Sequence, residues 1–131
     1  MRKAWRLFGA VLLLLVTAEA AARSERWAGI SSADHFGVGS CPMVAFTLYI
    51  DGVAVDGVAE SESTSGKIRW TVYGMRSHGF IQIEMSYRPW YSPRRTRVQW
   101  TGFQRHGLIQ LTSGRGEFCR QLRSVNLKRI D

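Results

Sequence analysis

The chain is poor in the features that mark enzymes and metal proteins. Of its 131 residues two are cysteine, Cys41 and Cys119. They do not form a Cys-x-x-Cys pair, and two thiols alone make a poor metal site. There is no Gly-x-Ser-x-Gly elbow, no His-Glu-x-x-His and no glycine loop of the kind that cradles phosphate. From Lys67 onward the acids are only Glu84, Glu117 and Asp131, so a carboxylate pair for general acid–base work cannot be assembled. These absences argue for a non-catalytic protein with no cofactor and no metal. No stretch beyond the first 22 residues carries a sustained 3.6-residue apolar period, which excludes a helical bundle. Leu122 to Leu127 is the one candidate for a helical turn.

Residues 1–22 read as an export signal. Arg2, Lys3 and Arg6 precede an apolar centre from Leu7 to Val16, and Ala18-Glu19-Ala20 or Ala20-Ala21-Ala22 supplies small residues for cleavage. An apolar centre of roughly ten residues is too short to cross a hydrocarbon layer of about 30 Å. No second apolar run follows, so the mature chain is expected to lack a transmembrane span and to be periplasmic or secreted. Cys41 is not a lipid anchor, because no apolar helix precedes Val38-Gly39-Ser40. In an oxidising compartment Cys41 and Cys119 most simply form one disulfide. The chain then divides into the signal, an N-terminal segment with a possible first strand at 23–40, and a single domain at 41–131.

Charge is unevenly placed. Between Arg23 and Gly66 two arginines face six acids, a net of −4; from Lys67 to Asp131 thirteen basic residues face three acids, a net of +10. Eleven of those thirteen are arginine, the side chain suited to forked contacts with carboxylates and phosphates. A field of this sign attracts anionic partners. It also fits the wet outer faces of strands, where alternating arginine protects against edge pairing.

What the sequence has in abundance is alternation. Ile68-Arg69-Trp70-Thr71 leads through a break to His78-Gly79-Phe80-Ile81-Gln82-Ile83. Val98-Gln99-Trp100-Thr101 then leads to His106-Gly107-Leu108-Ile109-Gln110-Leu111. Each copy reads as a β-hairpin. Upstream, Val44, Phe46, Leu48 and Ile50 share one face, Asp51-Gly52 is a hairpin turn, and Val53, Val55, Gly57 and Ala59 lead back. Seven or eight short strands joined by tight turns indicate an all-β fold, a single antiparallel up-and-down meander barrel. A two-sheet β-sandwich is the alternative. A Cys41–Cys119 link would fasten the first long strand to the last.

Trp27-Ala28-Gly29 and the run from Phe46 to Gly57 resemble the opening of calycin-type barrels such as the avidins. Gly116-Glu117-Phe118-Cys119 with Leu127-Lys128-Arg129 is similar to the ending of small exported proteobacterial proteins of unknown role. The resemblance implies a barrel. It carries no ligand across, since the polar residues that hold biotin in avidins have no counterparts here. Because calycin barrels include exported protease inhibitors, it also implies inhibition as an alternative function.

Three features are candidates for function. The first is the loop holding Arg88, Trp90, Tyr91, Arg94, Arg95 and Arg97, stiffened by Pro89 and Pro93. Aromatic faces beside guanidinium groups suit stacked, anionic or sugar-containing ligands; the same rings could instead fold as a lid over the barrel end. The second is the pair of rim histidines, His78 and His106, with Arg76 and Arg105 beside them. Strand alternation places both at one end and the Trp90 loop at the other. The duplicated hairpin explains these histidines without a ligand, and His35 would be needed to complete a metal site. The third is the interior, where Trp70, Trp100, Met85 and Phe46 either fill the barrel or line a pocket for a small apolar ligand.

These features describe an exported, non-catalytic binding module of the cell envelope. Its expected partner is an anionic envelope component or another exported protein. The alternatives are an inhibitor of an exported protease, acting through a loop or residues 23–40, and a carrier of a small apolar ligand. Nucleic acid is expected to bind only adventitiously, fading as salt rises.

Overall fold

A computed structural model of the chain describes residues 24–31, 42–63, 66–113 and 123–130. The export signal at 1–22, His35 and the Cys41–Cys119 pair lie outside the described residues. Eight strands follow in order: β1 (Glu25–Ile30), β2 (Val44–Asp51), β3 (Ala54–Ser63), β4 (Gly66–Ser77), β5 (Phe80–Tyr87), β6 (Thr96–Arg105), β7 (Leu108–Ser113) and β8 (Arg123–Arg129). Each pairs antiparallel with the next, and β1 pairs with β8, so one sheet closes into a barrel. The two-sheet sandwich does not form.

The two-residue period of the sequence decides which side chains enter the barrel. Val44, Phe46, Leu48 and Ile50 of β2 are buried, while Ala45, Tyr49 and Asp51 between them are exposed. The same alternation puts Trp70 and Val72 of β4, Ile81, Ile83 and Met85 of β5, Trp100 of β6, and Ile109 and Leu111 of β7 inside. β8 contributes Val125 and Leu127. The stretch expected as a helical turn is therefore strand from Arg123 onward. Its buried residues alternate with exposed Ser124, Asn126 and Lys128, and it pairs with both β7 and β1. Two open edges gained ladder hydrogen bonds, which a single helical turn could not supply.

The interior is filled from wall to wall at one level. β2 and β6 stand opposite each other in the ring, yet the rings of Phe46 and Trp100 meet edge to face with centroids 5.1 Å apart. Eight strands make a barrel just wide enough for such packing.

The repeated hairpins are β4–β5 and β6–β7. Their strands run without a break up to two-residue turns at His78-Gly79 and His106-Gly107. Both residues of each turn have positive φ (53° and 82°, 49° and 77°), the signature of a type I′ turn whose twist matches its strands. Four residues before each turn an inward glycine, Gly74 or Gly102, sits opposite an aliphatic side chain, Ile83 or Leu111. A Cβ at Gly102 would collide with the Gln110 carbonyl oxygen, and one at Gly74 with that of Gln82. Glycine there lets neighbouring backbones close in where the barrel bends.

This topology gives the barrel two unlike ends. The turn end carries Gly52-Val53, His78-Gly79 and His106-Gly107, with Glu25 at the start of β1 and Arg129 at the end of β8. The loop end carries the β5–β6 connection, residues 88–95, with Ser113 and Arg123 at the adjoining strand ends. Outside, acidic β3 lies against basic β4, with Glu60 opposite Arg69 and Glu62 opposite Lys67, cross-strand placements that favour pairing.

Candidate binding surfaces at the two ends of the barrel

The loop at 88–95 is held in place from below. Pro89 is buried, its carbonyl accepts the Ser92 amide at 3.2 Å, and the Ser92 hydroxyl accepts the Arg94 amide at 3.2 Å. Arg95 folds back along the barrel wall. Its Nε and Nη2 donate to Ser86 Oγ at 3.3 and 3.1 Å, and Nη2 also reaches Thr71 Oγ1 at 3.2 Å. Above this anchor Trp90 and Tyr91 stand in water, 95% and 73% exposed. Their rings are nearly perpendicular, 5.8 Å apart. A lid closing the barrel is thereby overturned, because rings sealing an end would lose their exposure. Arg88, Arg94 and Arg97 are exposed around the pair. Arg97 leans on Glu84 at 3.5 Å, and Glu84 also accepts the Tyr73 hydroxyl at 3.1 Å.

The turn end is capped by an ion pair. Arg76 on β4 reaches across to Glu25 on β1, with Nη2 donating to Oε2 at 2.7 Å and Nη1 to Oε1 at 3.2 Å. The same guanidinium donates to Gln104 Oε1 at 3.0 Å and to the Gly52 carbonyl at 3.2 Å. Glu25 also accepts Trp27 Nε1 at 3.3 Å, and Arg129 lies 3.8 Å away. The hydrogen bond from Arg76 holds the Glu25 carboxyl below its ordinary pKa of 4.5, against the opposing pull of partial burial. His78 and His106 line an open bowl of about 760 Å³ above this cap, together with Arg76 and Arg129. The expected shared rim is real. Among the described residues no group of three or more His, Cys, Asp or Glu side chains is placed to hold a metal ion.

At the loop end a row of polar side chains points inward. Trp100, Ser113 and Arg123 are register partners on β6, β7 and β8. The Arg123 guanidinium lies over the Trp100 ring, 5.4 Å from its centroid, and Nη1 donates to the Pro42 carbonyl. Only 6% of Arg123 is exposed, and this desolvation pushes its pKa down. Ser61 on β3 accepts Trp70 Nε1 at 2.9 Å.

Of the residues singled out in the sequence, Arg88, Trp90, Tyr91, Arg94 and Arg97 come together at the loop end, with Arg95 spent on anchoring them. Sequence reasoning missed the roles of Glu25, Gln104 and Arg123. Their signal was present: each is a polar residue in the inward phase of an alternating strand, in step with Trp27, Trp100 or Val125. Residues 25–30 form a wall of the barrel, so that part of the N-terminal segment is not a free inhibitory arm.

Taken together, the chain is an all-β protein built as one closed eight-strand antiparallel meander, an arrangement consistent with the calycin-like barrels. No protein family, curated protein or solved structure compared with it matches.

Proposed function

We propose that this protein is an exported, non-catalytic binding module that engages an anionic surface of the cell envelope through the Trp90–Tyr91 loop. The carrying observation is the pair of exposed aromatic rings, Trp90 almost completely so, on a loop fixed by a buried proline and by Arg95. Exposing such rings in water is unfavourable unless a partner covers them, and rigid aromatic anchors lose little entropy on docking. Arg88, Arg94 and Arg97 flank them with positive charge, each worth about 1 kcal/mol close to an anionic surface. The calycin-like reading supports the same picture, in which a filled barrel serves as a scaffold for its loops.

Sedimentation with lipopolysaccharide and with anionic or neutral vesicles tests this. Binding is expected to anionic surfaces only, to weaken roughly thirty-fold in Trp90→Ala if the ring is an anchor, and to fall again in Arg94→Ser/Arg97→Ser. Equal binding to neutral vesicles, or full binding by Trp90→Ala, would refute it. Inhibition of secreted proteases that is lost in the same variant would transfer the loop to the inhibitor reading.

A further inference from the structure

The outer wall of the barrel carries a further surface, on the side of the turn end. Phe80, Phe103, Gln110 and Asn126 are register partners on β5, β6, β7 and β8. All four are exposed, so their side chains stand in one row on the outer face. With strands about 4.8 Å apart, the row runs roughly 14 Å. The two rings meet edge to face with centroids 5.4 Å apart, and the Arg105 guanidinium lies over Phe103, 5.6 Å from its centroid. These contacts order the pair yet leave Phe80 39% and Phe103 51% exposed. Thr101 and Thr112, paired across β6 and β7, stand in the next outward row. The six side chains line a cleft of about 600 Å³, within the range of small-molecule sites, roughly 300–1,000 Å³.

The chemistry of the cleft selects its ligand. Every strand here is already paired on both sides, so the face cannot take up an extended peptide through backbone hydrogen bonds. No acid lines the cleft, and the four side chains of the row are uncharged. One half of the row is aromatic. The other half is amide, and amides donate and accept at once, as the two threonine hydroxyls also do. A sugar ring is the complement of both halves. Its C–H face meets the negative face of an aromatic ring, and its rim of hydroxyls donates and accepts in the same way as the amides. The row is longer than one sugar ring, so a ring stacked on the phenylalanines leaves the amides for the next ring of a chain.

We infer that this cleft binds an extended, uncharged oligosaccharide, one sugar ring stacked on the Phe80–Phe103 pair and the next held through its hydroxyls by Gln110 and Asn126. The site lies on the wall, apart from the Trp90 loop, and does not depend on that loop binding anionic surfaces.

The test uses the mature protein labelled with nitrogen-15 and follows its side-chain amide resonances. Those of Gln110 and Asn126 are identified by their disappearance in Gln110→Glu and Asn126→Asp. Cellotetraose or chitotetraose is expected to shift both saturably, and raising sodium chloride is expected to leave the affinity unchanged, because no charge pairing is involved. Glucose is expected to bind more weakly than the tetrasaccharide. Phe103→Ala, an exposed substitution that the fold tolerates, is expected to weaken binding about ten-fold, while Phe103→Tyr, which keeps the ring, retains it. Trp90→Ala is expected to bind the sugar as the parent does, whatever it does to vesicle binding. The inference fails if neither tetrasaccharide moves these resonances, if salt abolishes the binding, if glucose binds as tightly, or if Phe103→Ala binds as the parent does. It fails equally if Trp90→Ala loses the sugar, which would move the site to the loop. Broadening of the same resonances with protein concentration alone, relieved in Phe103→Ala, would make the face a contact between copies of this chain and overturn the assignment.

Discussion

Replacing Glu25 by Gln probes the cap at the turn end with almost no change in shape. The carboxylate takes two hydrogen bonds from Arg76, at 2.7 and 3.2 Å, and a third from Trp27. With side-chain exposures of 18% for Arg76 and 15% for Glu25, the pair is neither dry nor fully screened. A charge-assisted hydrogen bond contributes about 1.5–3 kcal/mol net, and the residual water favours the lower half of that range. The amide keeps one acceptor but turns an NH2 group towards a guanidinium that offers only donors. The expected loss is about 2 kcal/mol at pH 7, or about 10 °C in Tm for a domain of this size. Its pH dependence identifies the cause. Glu25 has a folded pKa below 4.5, so its stabilisation is complete above the unfolded value and is lost as pH falls through the folded one. Urea unfolding followed by tryptophan fluorescence is therefore expected to show the full deficit at pH 7 and a much smaller one at about pH 2.5. The m-value should not change. A variant as stable as the parent at pH 7, or a deficit of equal size at both pH values, would refute the assignment of the cap to this ion pair.

Gly102→Ala forces a methyl group against the Gln110 carbonyl and is expected to cost about 3 kcal/mol, measured by the same urea titration, whereas Gly107→Ala strains only a turn and should cost less. His78→Asn and His106→Asn place the residue best suited to positive φ in type I′ turns, and each is expected to leave stability unchanged or raise it by about 0.5 kcal/mol; a large loss would mean that the imidazoles do more than turn the chain. Arg123 brings Pro42, the neighbour of Cys41, against the start of β8, four residues beyond Cys119. Mass spectrometry of the intact mature protein should therefore find both thiols blocked, and reduction should lower stability by about 4 kcal/mol; two freely reactive thiols would contradict the expected disulfide.

Much of the barrel was legible because its physics is written at a period of two. Phe46, Trp70 and Trp100 announced the interior by alternation, and the two His-Gly turns announced the hairpins. Strand alternation alone placed those turns opposite the Trp90 loop. The short strand β1 was harder to read, since Ala28 and Gly29 carry little hydrophobic signal and Glu25 sits in the inward phase. The helical hint at Leu122 to Leu127 came from a three-residue spacing of apolar side chains that a lone window could not weigh against two unpaired strand edges. The loop residues were found by composition, but composition could not separate Arg95, which holds the loop down, from Arg94, which stands free of the wall. The row of Trp100, Ser113 and Arg123 depends on register across three strands, and register between distant segments is not carried by either segment alone.

The two hairpins differ in one respect that shapes what variation this wall can absorb. Eight residues separate Trp70 from His78 but six separate Trp100 from His106. Because the difference is even, both indoles still face inward, at different depths. Length changes of two slide a ring along the barrel axis, while a change of one would turn the rest of that strand inside out. Drift in these strands is thus confined to paired steps, and the axial position of each aromatic ring becomes a coordinate that can be reset without rebuilding the wall.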